Sequence, residues 1–220
     1  IRVGSYTKRL NEYPVMQAKL WDKLRTSKFE ERSAKIDLSL TEALSLLDYN
    51  VYFDNADIPQ PQDANGIAHY LFEEGILQKQ DNGLYTITNL GAILFAKNLS
   101  AFPKLSRKAI RVVQYKDNSK LDILKEDIVG KGYVVGFEGL MKYVEALIPA
   151  REVIVGAKRE KETAYPMLAI REAVANALIH QDFAITGTGP VVEIFESRIE
   201  ITNPGLPLVD VKRIIDNPPK

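Results

Sequence analysis

Cysteine is absent from the 220 residues, and histidine occurs only at His69 and His180. The first absence excludes disulfides and thiolate metal centres and makes a reducing, cytoplasmic setting the expected one. The second leaves any zinc site dependent on both imidazoles plus carboxylates, so none is expected. No stretch approaches the run of about 18 apolar residues that a membrane-spanning helix needs, and no membrane partner is expected. Net charge is also missing, since 29 Lys and Arg balance 29 Asp and Glu. No internal repeat or low-complexity run is present. What remains is a chain 45% hydrophobic and 26% charged, enough apolar material to core one large domain or two small ones.

The balanced charge is unevenly spread. Residues 1–36 and 97–125 are rich in Lys and Arg, whereas residues 38–95 hold Lys79 against eight Asp and Glu. Phosphate backbones are drawn to the first two blocks and repelled by the third. Lys104, Arg107 and Lys108 are therefore expected to contribute electrostatic affinity for DNA.

Apolar spacing (Val15, Leu20, Trp21, Leu24) predicts a helix over 14–35, whose basic face meets either solvent or nucleic acid. Thr41 is placed to cap a helix through Leu47. Asp63 or Asn65 is placed to start another through Glu74, with Ile67, Tyr70 and Leu71 inward and Gly75 ending it. Two strands about Asp81-Asn82-Gly83 predict a hairpin, and Asn89 is placed to cap a helix over 90–97. Helices followed by a hairpin over 37–98 match a winged-helix-like module. Its acidity, with Glu73 and Glu74 on the would-be recognition helix, points to a structural or dimerising role rather than to reading DNA. A strand is predicted over 109–115 and a helix over 127–147. Gly130, Gly132 and Gly136 fit neither G-x-G-x-x-G nor a P-loop and read as turn or packing glycines.

The segment 165–207 is the most site-like. Pro166 suits a first helical turn, and the helix over 167–181 is apolar or small at most other positions. Such a helix is expected to be buried on most sides. Glu172, Asn176 and His180 are spaced by four and share one side. A salt bridge from Glu172 to Arg171 and a loop contact for Asn176 explain either residue alone. The trio followed by Asp182-Phe183 points to a site, because buried polar groups need partners or a ligand. Two alternating strands follow, over 191–195 and 198–202, then the turn Asn203-Pro204-Gly205-Leu206-Pro207.

Glu-x-x-x-Asn on a helix, His-x-Asp-Phe, a strand pair and Asn-Pro-Gly together resemble the GHKL (Bergerat-fold) ATPases. That superfamily includes gyrase B, mismatch-repair proteins, heat-shock chaperones and histidine kinases. More closely, R-E-A-V-A-N-A-L-I-H-Q-D-F, R-I-E-I-T-N-P-G and T-N-L-G-A-I-L-F-A-K resemble a bacterial and archaeal group of transcriptional regulators. Its members carry a Schlafen-type AlbA DNA-binding domain and are often labelled ATP-dependent DNA helicase-related. The opening I-R-V-G-S-Y-T resembles the last strand of such a domain, so the sequence is expected to be a piece of a longer chain.

The resemblance implies an α+β protein. Residues 1–36 would be the end of an AlbA-like domain and a linker helix, 37–98 the winged-helix-like module, and 99–220 a partial GHKL-type α/β sandwich. ATP and Mg²⁺ are the implied cofactors, with DNA and a second copy as partners. Asn176 would ligate Mg²⁺ bridging the phosphates, and Glu172 would be the general base. His180, Asp182, Asn203 and Gly205 would line the nucleotide. Asn203 stands where the superfamily's D-x-G-x-G box has Asp, and Pro207 where it has its second Gly. The second glycine box and ATP lid are expected beyond Lys220. Nucleotide binding is therefore expected to be weak here and hydrolysis slow or absent. The alternative is a non-enzymatic scaffold with a degenerate pocket. A helicase motor ranks last, because no Walker A lysine motif is present.

Overall fold

The computed structural model describes residues 28–155 and 158–206, together with the strand pair β1 (Arg2–Val3) and β2 (Tyr6–Thr7). The stretch read as one opening strand is thus two short antiparallel strands. Residues 14–27 of the predicted first helix, with Trp21, lie outside the described residues, as does Pro207. The end of that predicted helix is corrected to a strand. Residues 33–38 form β3 (Ser33–Leu38), because cross-strand pairing with residues 85–88 outweighs local helix propensity.

Helix α1 (Leu40–Leu46) begins two residues earlier than predicted. Ser39, not Thr41, caps it, through a box in which Ser39 and Glu42 satisfy each other's backbone N–H. Glu42 is held below its ordinary pKa by those Ser39 hydrogen bonds. The short α2 (Asn50–Ala56) was not legible, since its N-cap Tyr49 supplies no side-chain cap and it carries one fully buried side chain, Phe53. Asp63 caps α3 (Ala64–Glu73) through the Gly66 N–H, as its spacing predicts. The hairpin β4 (Leu77–Lys79) and β5 (Tyr85–Thr88) follows, closed by Gly83 at positive φ. The strand order is β3-β5-β4. Thr88, not Asn89, caps α4 (Asn89–Phe95), while the Asn89 side chain donates to the Phe29 carbonyl.

Two 3₁₀ turns (Leu99–Ala101 and Ser106–Lys108) lead to β6 (Ile110–Tyr115). The predicted helix over 127–147 is split. Its first residues belong to β7 (Ile123–Val129), which pairs with β6, and α5 spans Tyr133–Leu147 after the Gly130–Gly132 break. A β8/β9 hairpin (Ala150–Val155 and Lys158–Thr163) precedes α6 (Met167–Ile179). Strands β10 (Val191–Ile194) and β11 (Ile199–Thr202) complete a mixed sheet of order β11-β10-β6-β7, in which β10 runs parallel to β6.

The architecture is mixed α and β. A single apolar cluster runs from Leu38 and Phe53 in the first part to Val192 and Ile194 in the second, so the core crosses the predicted boundary at residue 98. Helices α5 and α6 contact each other, and α6 lies against β11.

Candidate functional site

Helix α6 carries the predicted trio, and Pro166 precedes it with its carbonyl accepting from the Ala169 and Ile170 N–H groups. Its buried stripe is narrow: Ile170, Val174, Ala177 and Leu178. The expectation of burial on most sides is corrected by the opposite side, where Leu168 is 71% and Ile179 67% exposed. Glu172, Asn176 and His180 lie on that open side. Their spacing puts successive members about 6 Å apart along the axis. Glu172 does not pair with Arg171. Arg171 instead forms a forked ion pair with Glu138 and lies over the Phe137 ring at 4.8 Å. The Glu138 carboxyl is lowered and the Arg171 guanidinium raised by that hydrogen bonding. Glu172 and Asn176 are thus left open to incoming groups.

At the end of α6 the chain turns back on the strand pair. The Asp182 N–H donates to the Pro204 carbonyl at 2.7 Å, and the Asp182 carboxylate accepts from the Ala184 N–H at 2.9 Å. Gly205 has φ +137°, and a Cβ there would lie 3.2 Å from both Cβ and N of Asp182. Only glycine suits that backbone and that approach. The fold therefore locks the Asn203-Pro204-Gly205 turn against the residue that follows the trio. His180, Asp182, Asn203 and Gly205 share one corner of the sheet, with Glu172 farther up the helix.

Behind this corner is a network with no sequence signal. Lys108 is 3% exposed, and its ammonium donates to the Ile185 carbonyl at 2.7 Å and the Asp182 carbonyl at 3.4 Å. Burial lowers its pKa, and the Asp182 charge partly offsets this. Lys108 is thus withdrawn from the surface where DNA contact was expected, while Lys104 and Arg107 remain exposed. A lysine that anchors a loop looks the same in sequence as one facing solvent. The Tyr133 hydroxyl donates to the Lys108 carbonyl at 2.7 Å and accepts from Gln181 Nε2 at 2.9 Å. Desolvation pushes the Tyr133 phenol up to about 12, against a smaller lowering by the Gln181 hydrogen bond.

Tyr133 keeps its proton where an unfolded tyrosine loses it. Its contribution to stability is complete below pH 10 and is lost as pH rises through about 12. An ultraviolet titration should show a phenolate step near pH 12 in the wild type that is missing in Tyr133→Phe. The variant should lose about 1–3 kcal/mol at neutral pH, because the Gln181 amide loses its acceptor. A Tyr133→Phe titration matching the wild type would contradict the network.

An apolar cavity lies elsewhere. A cavity of about 770 Å³ opens between α2, α4, α5 and α6, walled by Phe29, Phe137 and Phe183 among aliphatic side chains. Arg171 reaches it, but none of Glu172, Asn176, His180, Asp182, Asn203 or Gly205 does. The cleft is an apolar seam; the polar chemistry is on the open side of α6. At the other end of the sheet, Glu193 is 9% exposed and accepts from Tyr115 at 3.0 Å and Lys120 at 2.7 Å. Lys120 balances the Glu193 charge and the Tyr115 hydroxyl donates a hydrogen bond to it, which offsets the cost of burial.

Among the described residues no group of three His, Asp or Glu is placed to hold a metal ion, and no helix is long and apolar enough to cross a membrane. The Asn176 amide oxygen suits a hard cation that keeps its other ligands from water or phosphate. No family model matches the sequence, and no curated protein does. The chain is similar in fold to the DIP2311 protein from Corynebacterium diphtheriae, with a TM-score of 0.55 and 21% identity. The match covers 98% of this chain and 41% of that one.

Proposed function

We propose that this chain is part of a DNA-binding transcriptional regulator with an ATP-binding, GHKL-like domain. The observation that carries the reading is the lock between Asp182 and the Pro204-Gly205 turn, which gathers separate sequence motifs at one corner. In this reading β3, three helices and the β4/β5 hairpin, with strand order β3-β5-β4, are a winged helix. The sheet β11-β10-β6-β7 with α5 and α6 is the nucleotide-binding sandwich. Asn176 would hold a divalent cation through its amide oxygen, and Glu172, one turn earlier, would act as the base toward water. Bound ATP and Mg²⁺ would supply the electrophilic phosphorus and the charge neutralisation. Asn203, an amide, both donates and accepts, so it selects bases less sharply than a carboxylate.

One observation favours the alternative, a non-enzymatic scaffold or dimerisation module with a degenerate nucleotide pocket. Glu172 is exposed, and a general base works best partly desolvated. ATP turnover by the full-length protein separates the two readings. Loss of turnover in Glu172→Gln supports the ATPase, and a wild type without turnover supports the scaffold.

A further inference from the structure

Among the described residues, strand β7 is an edge of the four-stranded sheet without a further strand beside it, and its side chains from Ile123 to Ile128 are exposed. Its outward hydrogen-bonding phase can be read from two contacts. The Arg111 N–H donates to the Pro190 carbonyl, on the side away from β7. Arg111 and Ile128 are therefore a non-hydrogen-bonded pair in the β6/β7 ladder, and the Ile128 N–H points outward. There it is met only by the neighbouring Asp127 carboxylate at 2.8 Å. Glu126, two residues earlier, has the same phase. The outward backbone groups of Glu126, beside exposed Leu124 (57%) and Ile128 (59%), form a template for another strand.

The charge sequence selects the partner. We propose that β7 pairs antiparallel with β7 of a second copy about a two-fold axis at Glu126, joining two four-stranded sheets into one. The phase requires an axis through a residue rather than between two. An axis at Lys125 would face lysine with lysine, and one at Asp127 aspartate with aspartate, and like charges directly opposite are destabilising. An axis at Glu126 also faces like charges, glutamate with glutamate, but it alone of the three sets Lys125 opposite Asp127 of the second copy, twice. The two Glu126 side chains at the axis are each held by their own Arg111 at 2.6 Å. Leu124 is the extra residue of a bulge, between Ile123 facing Tyr115 and Lys125 facing Gln114, so the new ladder runs from Lys125 to Asp127 and the contact is short. Such an edge contact gives a weak, symmetric dimer.

Sedimentation over a wide concentration range tests this on the wild type, Lys125→Asp, Asp127→Lys and the double variant, with far-ultraviolet circular dichroism checking the fold. Each single change should weaken self-association at least about tenfold, and the charge swap should restore it. Because the sequence has no cysteine, Glu126→Cys should also cross-link to itself on oxidation, as a pair about 5.5 Å apart at Cα permits. A wild type monomeric throughout, single variants that associate like the wild type, or a double variant that stays as weak as the singles would overturn the proposal. So would a Glu126→Cys chain that does not cross-link.

Discussion

Lys108→Glu should unfold the protein at a temperature lower by roughly 6–20 °C, the equivalent of about 3–5 kcal/mol for a chain of this size. The substitution sets a buried carboxylate against the Asp182 and Ile185 carbonyls that the ammonium now serves. Lys104→Glu with Arg107→Glu, on exposed neighbours, should leave stability within about 0.5 kcal/mol. That pair should instead weaken DNA binding and lower its salt dependence, by a slope of about one for each phosphate no longer neutralised. Thermal melts and DNA titrations at several salt concentrations separate the two effects. Equal melting temperatures for Lys108→Glu and the double variant would contradict the anchoring role. The depressed Lys108 pKa has its own signature. The folded state binds this proton less tightly than the unfolded state. Stability therefore rises with pH between the depressed value and the ordinary lysine value, opposite to the Tyr133 trend.

Gly132→Ala should cost about 2–4 kcal/mol, because Gly132 is the N-cap of α5, where alanine is disfavoured against glycine, and because the added methyl has no room. A Cβ at Gly132 would lie 2.6 Å from the Leu94 carbonyl oxygen and 2.7 Å from the Ala96 nitrogen, both backbone atoms unable to swing aside. The Gly132 N–H also donates to the Ala96 carbonyl at 2.8 Å, and the Leu99 N–H to the Gly130 carbonyl. These contacts join α4 to α5 across the predicted boundary at residue 98. Gly139, with open space around its Cβ position, is the control: Gly139→Ala should be neutral or stabilising. Denaturant melts in which the two variants behave alike would show that the seam is loose.

Sequence pattern carried the regular parts of the fold. Asp63 as a cap, the Asp81-Asn82-Gly83 hairpin and the paired strands before Asn203 all rest on local chemistry, and the structure has them. Misreadings fell where strand pairing decides. Ser33–Leu38 is a strand because distant β5 offers it a ladder that no local window contains, while Ile123–Val129 pairs with the preceding strand β6 where its apolar spacing alone suggests a helix. The candidate trio was legible from its spacing on α6. Its exposure was not, since apolar Leu168 and Ile179 on the open side mimic a buried face. Lys108, Tyr133 and Gln181 come together from three separate stretches, and nothing in their immediate neighbours marks them.

In the proposed function the open side of α6 and the Asn203-Pro204-Gly205 turn form a nucleotide site with Asn176 at the cation. Calorimetry of the full-length protein with ATP and Mg²⁺, beside Asn176→Ala, tests it most directly. The account predicts a saturable heat for the wild type that falls when Mg²⁺ is withheld and is at least about tenfold weaker in affinity for Asn176→Ala. Equal affinities for the two proteins, or no heat from the wild type, would contradict it.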